Sequence, residues 1–403
     1  MSGYTKKLLE IALGVALAGG VGFAQSPPGQ PPRPNVPNGA DRNDPWTYYR
    51  IGLASLNKQP AKAADAFYWA ARLNPVWAEA YYGRRTAMLL SDPRRLIRYW
   101  RGERSTIRSK EIMGIDSLYL YALTLNPFLG PELDYMILES VITEVSTQAA
   151  NRSGTDATEI AMYIERDLRD GPPEWRALAA YREGRYDDAL SLYAKAIPRS
   201  KEKAGLLAER GRLLYQIGRQ DSALVNLTQA LAEMRKADKN DMVFLYQSKA
   251  LMEQRMGTIE HVRGNNAAAK EAFGRALQED LSYFPAHVQL AYLSLESGDT
   301  ASIISELDVA MQIKPEDVGI RYQYGYALGS LHKLNEAEVQ LKKAIELDPD
   351  FAAPHFALGE VYEASKRYPE ALKEVQAFLG LAAMNDRRRE VATEMAASLA
   401  GAK

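Results

Sequence analysis

Cysteine is missing from all 403 residues. Its absence excludes disulfides, thiolate nucleophiles and thiolate metal sites together. Histidine is scarce: His261, His287, His332 and His355 are the whole set. They fall in four separate contexts, with no i, i+4 pair and no carboxylate at metal-ligand spacing, so packing roles are expected and a metal centre is not. Charge of one sign is lacking too. Lys and Arg number 50 against 51 Asp and Glu, a net charge of -1, which leaves no global basic footprint for nucleic acid and no acidic tail. The chain has no G-x-S-x-G elbow, no P-loop and no Rossmann glycine set. No catalytic residue, metal or cofactor is expected, and the chain reads as a non-enzyme.

Apolar material is ample, at 46% hydrophobic residues, and tyrosine (23) outnumbers phenylalanine (9). Tyrosine offers an apolar body with a polar tip, which suits both repeat packing and peptide grooves. The start reads MSGYTKKLLEIALGVALAGGVGFAQS. Lys6 and Lys7 precede an apolar run from Ile11 to Ala24, and Gly22 and Ala24 set small residues before Gln25. This is a signal-peptide pattern over residues 1–24. The run is shorter than the ~20 residues a spanning helix needs. Export to the periplasm or outside is expected, with an uncleaved N-terminal membrane anchor as the alternative. Residues 25–45, QSPPGQPPRPNVPNGADRNDP, are rich in proline and nearly free of hydrophobes. They read as an extended, semi-rigid spacer that does not fold.

A 34-residue beat runs through the second half. Ala269, Ile303, Ala337 and Ala371 keep that step, as do Gly257, Ala291, Gly325 and Gly359, and Ala276, Ala310 and Ala344. Pro315 and Pro349 repeat it. Interleaved ladders of small residues at one period mean stacked helical hairpins, none able to bury its apolar face alone. Within a hairpin, Ala337, Leu341 and Ala344 step by 4 and 3, which keeps them on one helix face, and Pro349 then ends the helix. Ala63, Phe67, Ala70 and Pro75 show the same spacing near the start. Small residues at a helix crossing let the axes come nearer than the usual ~8–10 Å.

On these residues the chain resembles the tetratricopeptide repeat family. The blocks Gly325 to Asp350 and Met256 to Asp280 carry the pattern most fully. Small first-helix residues stand at Gly211, Gly257, Ala291, Gly325 and Gly359, and turn glycines at Gly184, Gly218, Gly264 and Gly298. The resemblance implies an all-α, right-handed superhelical solenoid of helical hairpins. Its expected divisions are a first hairpin unit at 46–90, a divergent helical segment at 91–171, an array at 172–383, and a capping helix at 384–403. Helices are expected within the divergent segment and just before it at 78–90, 93–101, 110–125, 131–150 and 156–169. Between Ala223 and Ala269 the step is 46, and no Gly or Pro lies between 219 and 256 to make a loop. An elongated hairpin at 220–263 is expected, both helices lengthened and protruding.

The resemblance implies that first helices line a concave groove. Carried onto this register, the groove residues are Arg212, Tyr215, Arg255, His261, Tyr292, Tyr322, Tyr326 and Phe356. Tyr322 and Tyr326 are i, i+4 neighbours. With Tyr292 and Phe356 they form an expected aromatic strip for an extended or helical peptide. The family's carboxylate clamp of Lys and Asn is not matched: Tyr292, Tyr326 and Glu360 stand at the key positions. Arg94, Arg95, Arg98, Arg101, Arg104 and Arg108 gather in 93–110, and a solvated, ion-paired helix face is the expected reading there. The expected function is an interaction scaffold or adaptor that binds a protein or peptide partner, with no nucleic acid and no membrane beyond the possible anchor. A structural subunit of an envelope complex, working through the convex face and the long hairpin, is the alternative.

Overall fold

The structure, a computed structural model, describes residues 30–92, 110–134, 136, 137, 139, 140, 143, 166, 170–236 and 248–401. The signal pattern of 1–24, the arginine run of 94–108, the expected helix at 93–101, most of those expected at 131–150 and 156–169, and residues 237–247 lie outside it. No helix among the described residues is long and apolar enough to cross a membrane.

Every regular element among the described residues is helical. They run α1 Pro45–Ser55, α2 Pro60–Leu73, α3 Ala78–Leu90, α4 Lys110–Leu125, α5 Pro173–Arg182, α6 Tyr186–Ala196, α7 Lys203–Gln216, α8 Gln220–Lys236 and α9 Lys249–Val262. After these come α10 Asn266–Glu279, α11 Phe284–Ser297, α12 Thr300–Ile313, α13 Val318–Ser330, α14 Leu334–Leu347, α15 Ala352–Ala364, α16 Tyr368–Leu381 and α17 Arg388–Gly401. The chain forms two compact units. Of the described residues, one gathers those from 30 to 49, 68 to 76 and 294 to 401; the other holds those within 50–67 and 77–293.

The hairpins close through one repeated contact. A Cβ added at Gly211 would meet Leu227, at Gly257 Phe273, at Gly325 Leu341, and at Gly359 Val375, each about 2.6–3.0 Å away. In every case the partner lies 16 residues on, in the second helix of the same hairpin. The small residue thus makes room for one large, buried side chain, which is why the ladders of Gly and Ala keep step with ladders of Leu, Phe and Val.

The turns inside the hairpins share a second device. Gly184, Gly218, Gly264 and Gly298 all adopt positive φ, between 73° and 80°. Two further turns place His332 (φ 58°) and Lys366 (φ 59°) in the same left-handed region. These positions continue the 34-residue step from Gly298. Each closes its helix with the same pair of bonds: His332 N donates to Gly329 O at 3.0 Å and Lys333 N to Leu328 O at 2.9 Å, and likewise Lys366 N to Glu363 O at 2.9 Å and Arg367 N to Tyr362 O at 2.8 Å. A left-handed side chain costs ~1–2 kcal/mol, partly offset because glycine loses more freedom on folding. His332→Gly and Lys366→Gly should therefore each stabilise by about 0.5–1 kcal/mol in urea melts. A loss of stability in both would show that these side chains contribute more than their backbone costs.

Two expectations are corrected. Of the long hairpin, α8 has 17 residues but α9 has 14, the same as α10, so α9 is not lengthened. Ser248 starts it, its hydroxyl accepting from Leu251 N at 3.0 Å, and that N-cap fixes where the helix begins. The described part of the proline-rich segment has no helix, but residues 30–44 are no free spacer. Pro31 O accepts from the Trp69 indole at 3.1 Å, and the Arg33 guanidinium lies over the Trp69 and Tyr48 rings at 4.8 and 5.3 Å. Further on, Asn43 donates to Gly380 O at 2.8 Å and Asp41 accepts from Met384 N at 2.6 Å. Proline already restricts the unfolded backbone, so ordering such a segment costs less entropy than its lack of helix suggests.

Candidate partner-binding face

In the unit that holds most of the first half, the first-helix face is covered by the chain itself. After α4 the segment Asn126–Asp134 crosses it as a strap. Pro127, Leu129, Gly130, Pro131 and Leu133 are buried. The strap is held from several helices. Tyr82 of α3 receives Leu133 N and Asp134 N at 3.2 and 3.0 Å, and Arg85 pairs with Asp134 at 2.6 Å. Tyr181 of α5 donates to Glu132 at 2.7 Å, and Phe128 stacks on Tyr215 of α7 with centroids 3.8 Å apart. Arg255 of α9 donates from Nε to Pro127 O at 2.7 Å. Burial pushes the Tyr181 hydroxyl up to about 12, with Glu132 adding to it, so it stays a donor at neutral pH.

Three residues expected to line an open groove are therefore engaged otherwise. Arg212 and Arg255 are 1% and 2% exposed. Arg212 is tied to Glu209 at 2.9 Å and Gln216 at 3.2 Å beneath the Tyr181 ring, and half-buried Tyr215 carries Phe128. The physical cause is occupancy: a first-helix face lined with aromatic and guanidinium groups takes a Pro- and Phe-bearing segment, and the nearest one belongs to the same chain. Nothing in the local sequence of 126–134 marks it as a groove ligand, since its partners lie as far as 128 residues away. His261 is half-buried at the end of α9, with Nδ1 3.1 Å from Asn266 Oδ1.

In the other unit Tyr326 of α13 is 53% exposed, although it sits within a helix. Tyr322, one turn earlier, is half-buried, its ring 6.2 Å from that of Tyr326 and edge-on to Phe351 at 5.3 Å. On α15, one repeat further along, Glu360 takes the position of Tyr326 and is exposed. Partial desolvation of its carboxyl and the neighbouring charge of Glu363 raise it above the usual carboxylate range, and Arg388 opposes them. Phe356 does not join this surface. It is 8% exposed and packs on Phe378 of α16 at 5.1 Å, so it belongs to the core of its hairpin. Tyr292, in the first-half unit, is 46% exposed and stands 34 residues before Tyr326. Among the described residues no group of three His, Asp or Glu side chains is placed to hold a metal ion.

Helical hairpins with Gly-to-Leu or Gly-to-Phe crossings, left-handed turns and a 34-residue step define an all-α helical-repeat protein. The chain carries tetratricopeptide repeats: that family's sequence pattern matches residues 175–240 and 325–366. Similar curated proteins include the TPR repeat-containing thioredoxin TTL4 of Arabidopsis thaliana, 26% identical over 180 residues, 43% of this chain and 25% of that one. The BBSome complex member bbs-4 of Caenorhabditis elegans is 22% identical over 241 residues, 59% of this chain and 47% of its own. The chain thus spans a quarter to about half of these relatives. Among solved structures, YrrB, described as a TPR protein with an unusual peptide-binding site, is 21% identical and covers 50% of this chain and 97% of its own, with a TM-score of 0.39. MamA from Desulfovibrio magneticus RS-1 is 20% identical over 45% of this chain and 95% of its own, with a TM-score of 0.36.

Proposed function

We propose that this chain is a non-enzymatic interaction scaffold that binds a protein or peptide through the first-helix face around Tyr322 and Tyr326. Repeats of this family support a protein-interaction role in general. The observation that favours this face is Tyr326. A ring 53% exposed in a well-packed repeat, beside a second tyrosine, contributes little to the core and offers a flat, rigid contact. The strap on the first-half unit leaves no comparable opening at Arg212 and Arg255, which favours the later repeats further.

Tyr322→Ala with Tyr326→Ala should weaken partner binding by about 2–4 kcal/mol in total. Tyr326→Ala alone should shift stability by no more than about 0.5 kcal/mol, while Tyr322→Ala should cost more because its ring meets Phe351. Partners would be taken from a native pull-down and their affinities measured with purified proteins. Binding retained by the double variant would rule this face out.

A further inference from the structure

The donors of Arg212, Gln254 and Arg255 are not all satisfied. Arg212 donates from Nε to Glu209 and from Nη1 to Gln216, and its Nη2 is buried with no partner. Arg255 donates from Nε to Pro127 O, and its Nη1 is buried with no partner. Gln254 is 0% exposed; its Oε1 accepts from the Tyr283 hydroxyl at 2.5 Å and its Nε2 has no partner. Three buried donor groups on α7 and α9 thus lack an acceptor, an arrangement folded chains rarely leave in place.

Charge is unbalanced at the same place. The two guanidinium groups feel each other, and both feel Glu209. Glu209 is ion-paired with Arg212; no carboxylate pairs with Arg255 among the described contacts. Arg255 instead has a backbone carbonyl and the face of Phe128 at 6.0 Å. A buried cation without a counter-ion is among the costlier arrangements a protein holds. A water would accept a hydrogen bond there but would leave the excess positive charge. An anion answers both deficits.

We propose that Arg212 Nη2 and Arg255 Nη1 hold a small oxyanion of carboxylate or phosphate type under the strap. A cavity of about 540 Å³ opens next to it, lined in part by Phe128, Gly130, Tyr215 and Gln216. Gln216 is the residue that accepts from Arg212 Nη1, so the cavity reaches within one side chain of the site. Glu79 and Glu132 also line that cavity, and their carboxylates repel a polyanion more strongly than a singly charged ion. The site lies away from Tyr322 and Tyr326 in sequence and in unit, and does not depend on the partner-binding reading.

The test uses the full chain. Its thermal unfolding is followed while sodium phosphate, or sodium acetate in a second arm, replaces sodium chloride at fixed pH and ionic strength. Phosphate raises melting temperatures non-specifically, so the criterion is saturation, with the logarithmic form of one-site binding. The expected result is a saturable rise in at least one arm, the arm naming the anion type, with affinity at least tenfold weaker in Arg255→Met. The exposed-site control Arg387→Met should keep the rise. If Arg255→Met fails to fold, 31P line broadening of inorganic phosphate and saturation transfer to acetate on the wild-type protein decide the matter. No saturable rise in either arm, or an equal rise in Arg255→Met, overturns the proposal. So does the absence of both resonance signals.

Discussion

Gly325→Leu is expected to destabilise the protein by about 1–3 kcal/mol, at the upper end of that range. A Cβ at this position would lie 2.8 and 2.9 Å from Leu341 Cγ and Cδ2, and 3.2 Å from the Leu341 backbone nitrogen. The Leu341 side chain could rotate away from a lone clash, but its backbone nitrogen cannot, so α13 and α14 would have to move apart. Leu341 is 0% exposed and has nowhere to retreat. A helical glycine with open space around it provides the contrast. Gly274 of α10 has nothing within 4 Å of its virtual Cβ, so Gly274→Ala should stabilise by up to about 1 kcal/mol through helix propensity. Urea melts of both variants check the pair. An unchanged midpoint for Gly325→Leu would mean that this crossing is not the close one.

The second large effect is expected at Phe67. This ring is 0% exposed and stands against two glycines of neighbouring helices: Cβ atoms at Gly52 and Gly83 would lie 2.7 and 2.6 Å from it. Phe67→Ala should cost about 3–5 kcal/mol, the range for a buried ring whose surroundings cannot collapse. Collapse is hindered here because α1, α2 and α3 are spaced by the ring itself. Gly83→Ala alone should also be destabilising. Combined with Phe67→Ala it should return part of the loss, since its methyl then enters the space the ring has left. The double-mutant cycle therefore predicts a favourable coupling of about 1 kcal/mol or more. Strict additivity would show that Gly83 and Phe67 do not share one space.

Much of this architecture was legible because it is local and periodic. The helices expected at 78–90 and 110–125 are α3 and α4, bounded in sequence by apolar periodicity and by Pro93 and Pro127. The glycine ladder marks the crossings because each glycine closes against a residue 16 positions on in the same hairpin. The turn at His332 is only weakly marked by residue type, since histidine enters the left-handed region far less readily than glycine, yet its position continues the step from Gly298. What the sequence could not show is pairing at long range. Register puts Arg212 and Arg255 on the first-helix face, but the segment that crosses that face is distant and unpatterned. Phe356 follows Tyr322 by one repeat, and register alone predicts the same surface for it. Its burial is decided by Phe378 in the next helix, a packing choice that register does not record.

The docking of residues 30–44 bears on the order in which the chain can be completed. Stability in a repeat array is usually a sum over neighbours, so each hairpin can be finished as soon as the next is made. Here Asp41 and Asn43 wait for Met384 and Gly380, which follow them by 343 and 337 residues. At synthesis rates of about 5–20 residues per second, that wait lasts roughly 20–70 s. Arg33, Tyr48 and Trp69 can assemble early, because all their partners have left the ribosome by then. Of these contacts, the link from Asp41 and Asn43 to Met384 and Gly380 forms last, once α16 and the turn after it have been made.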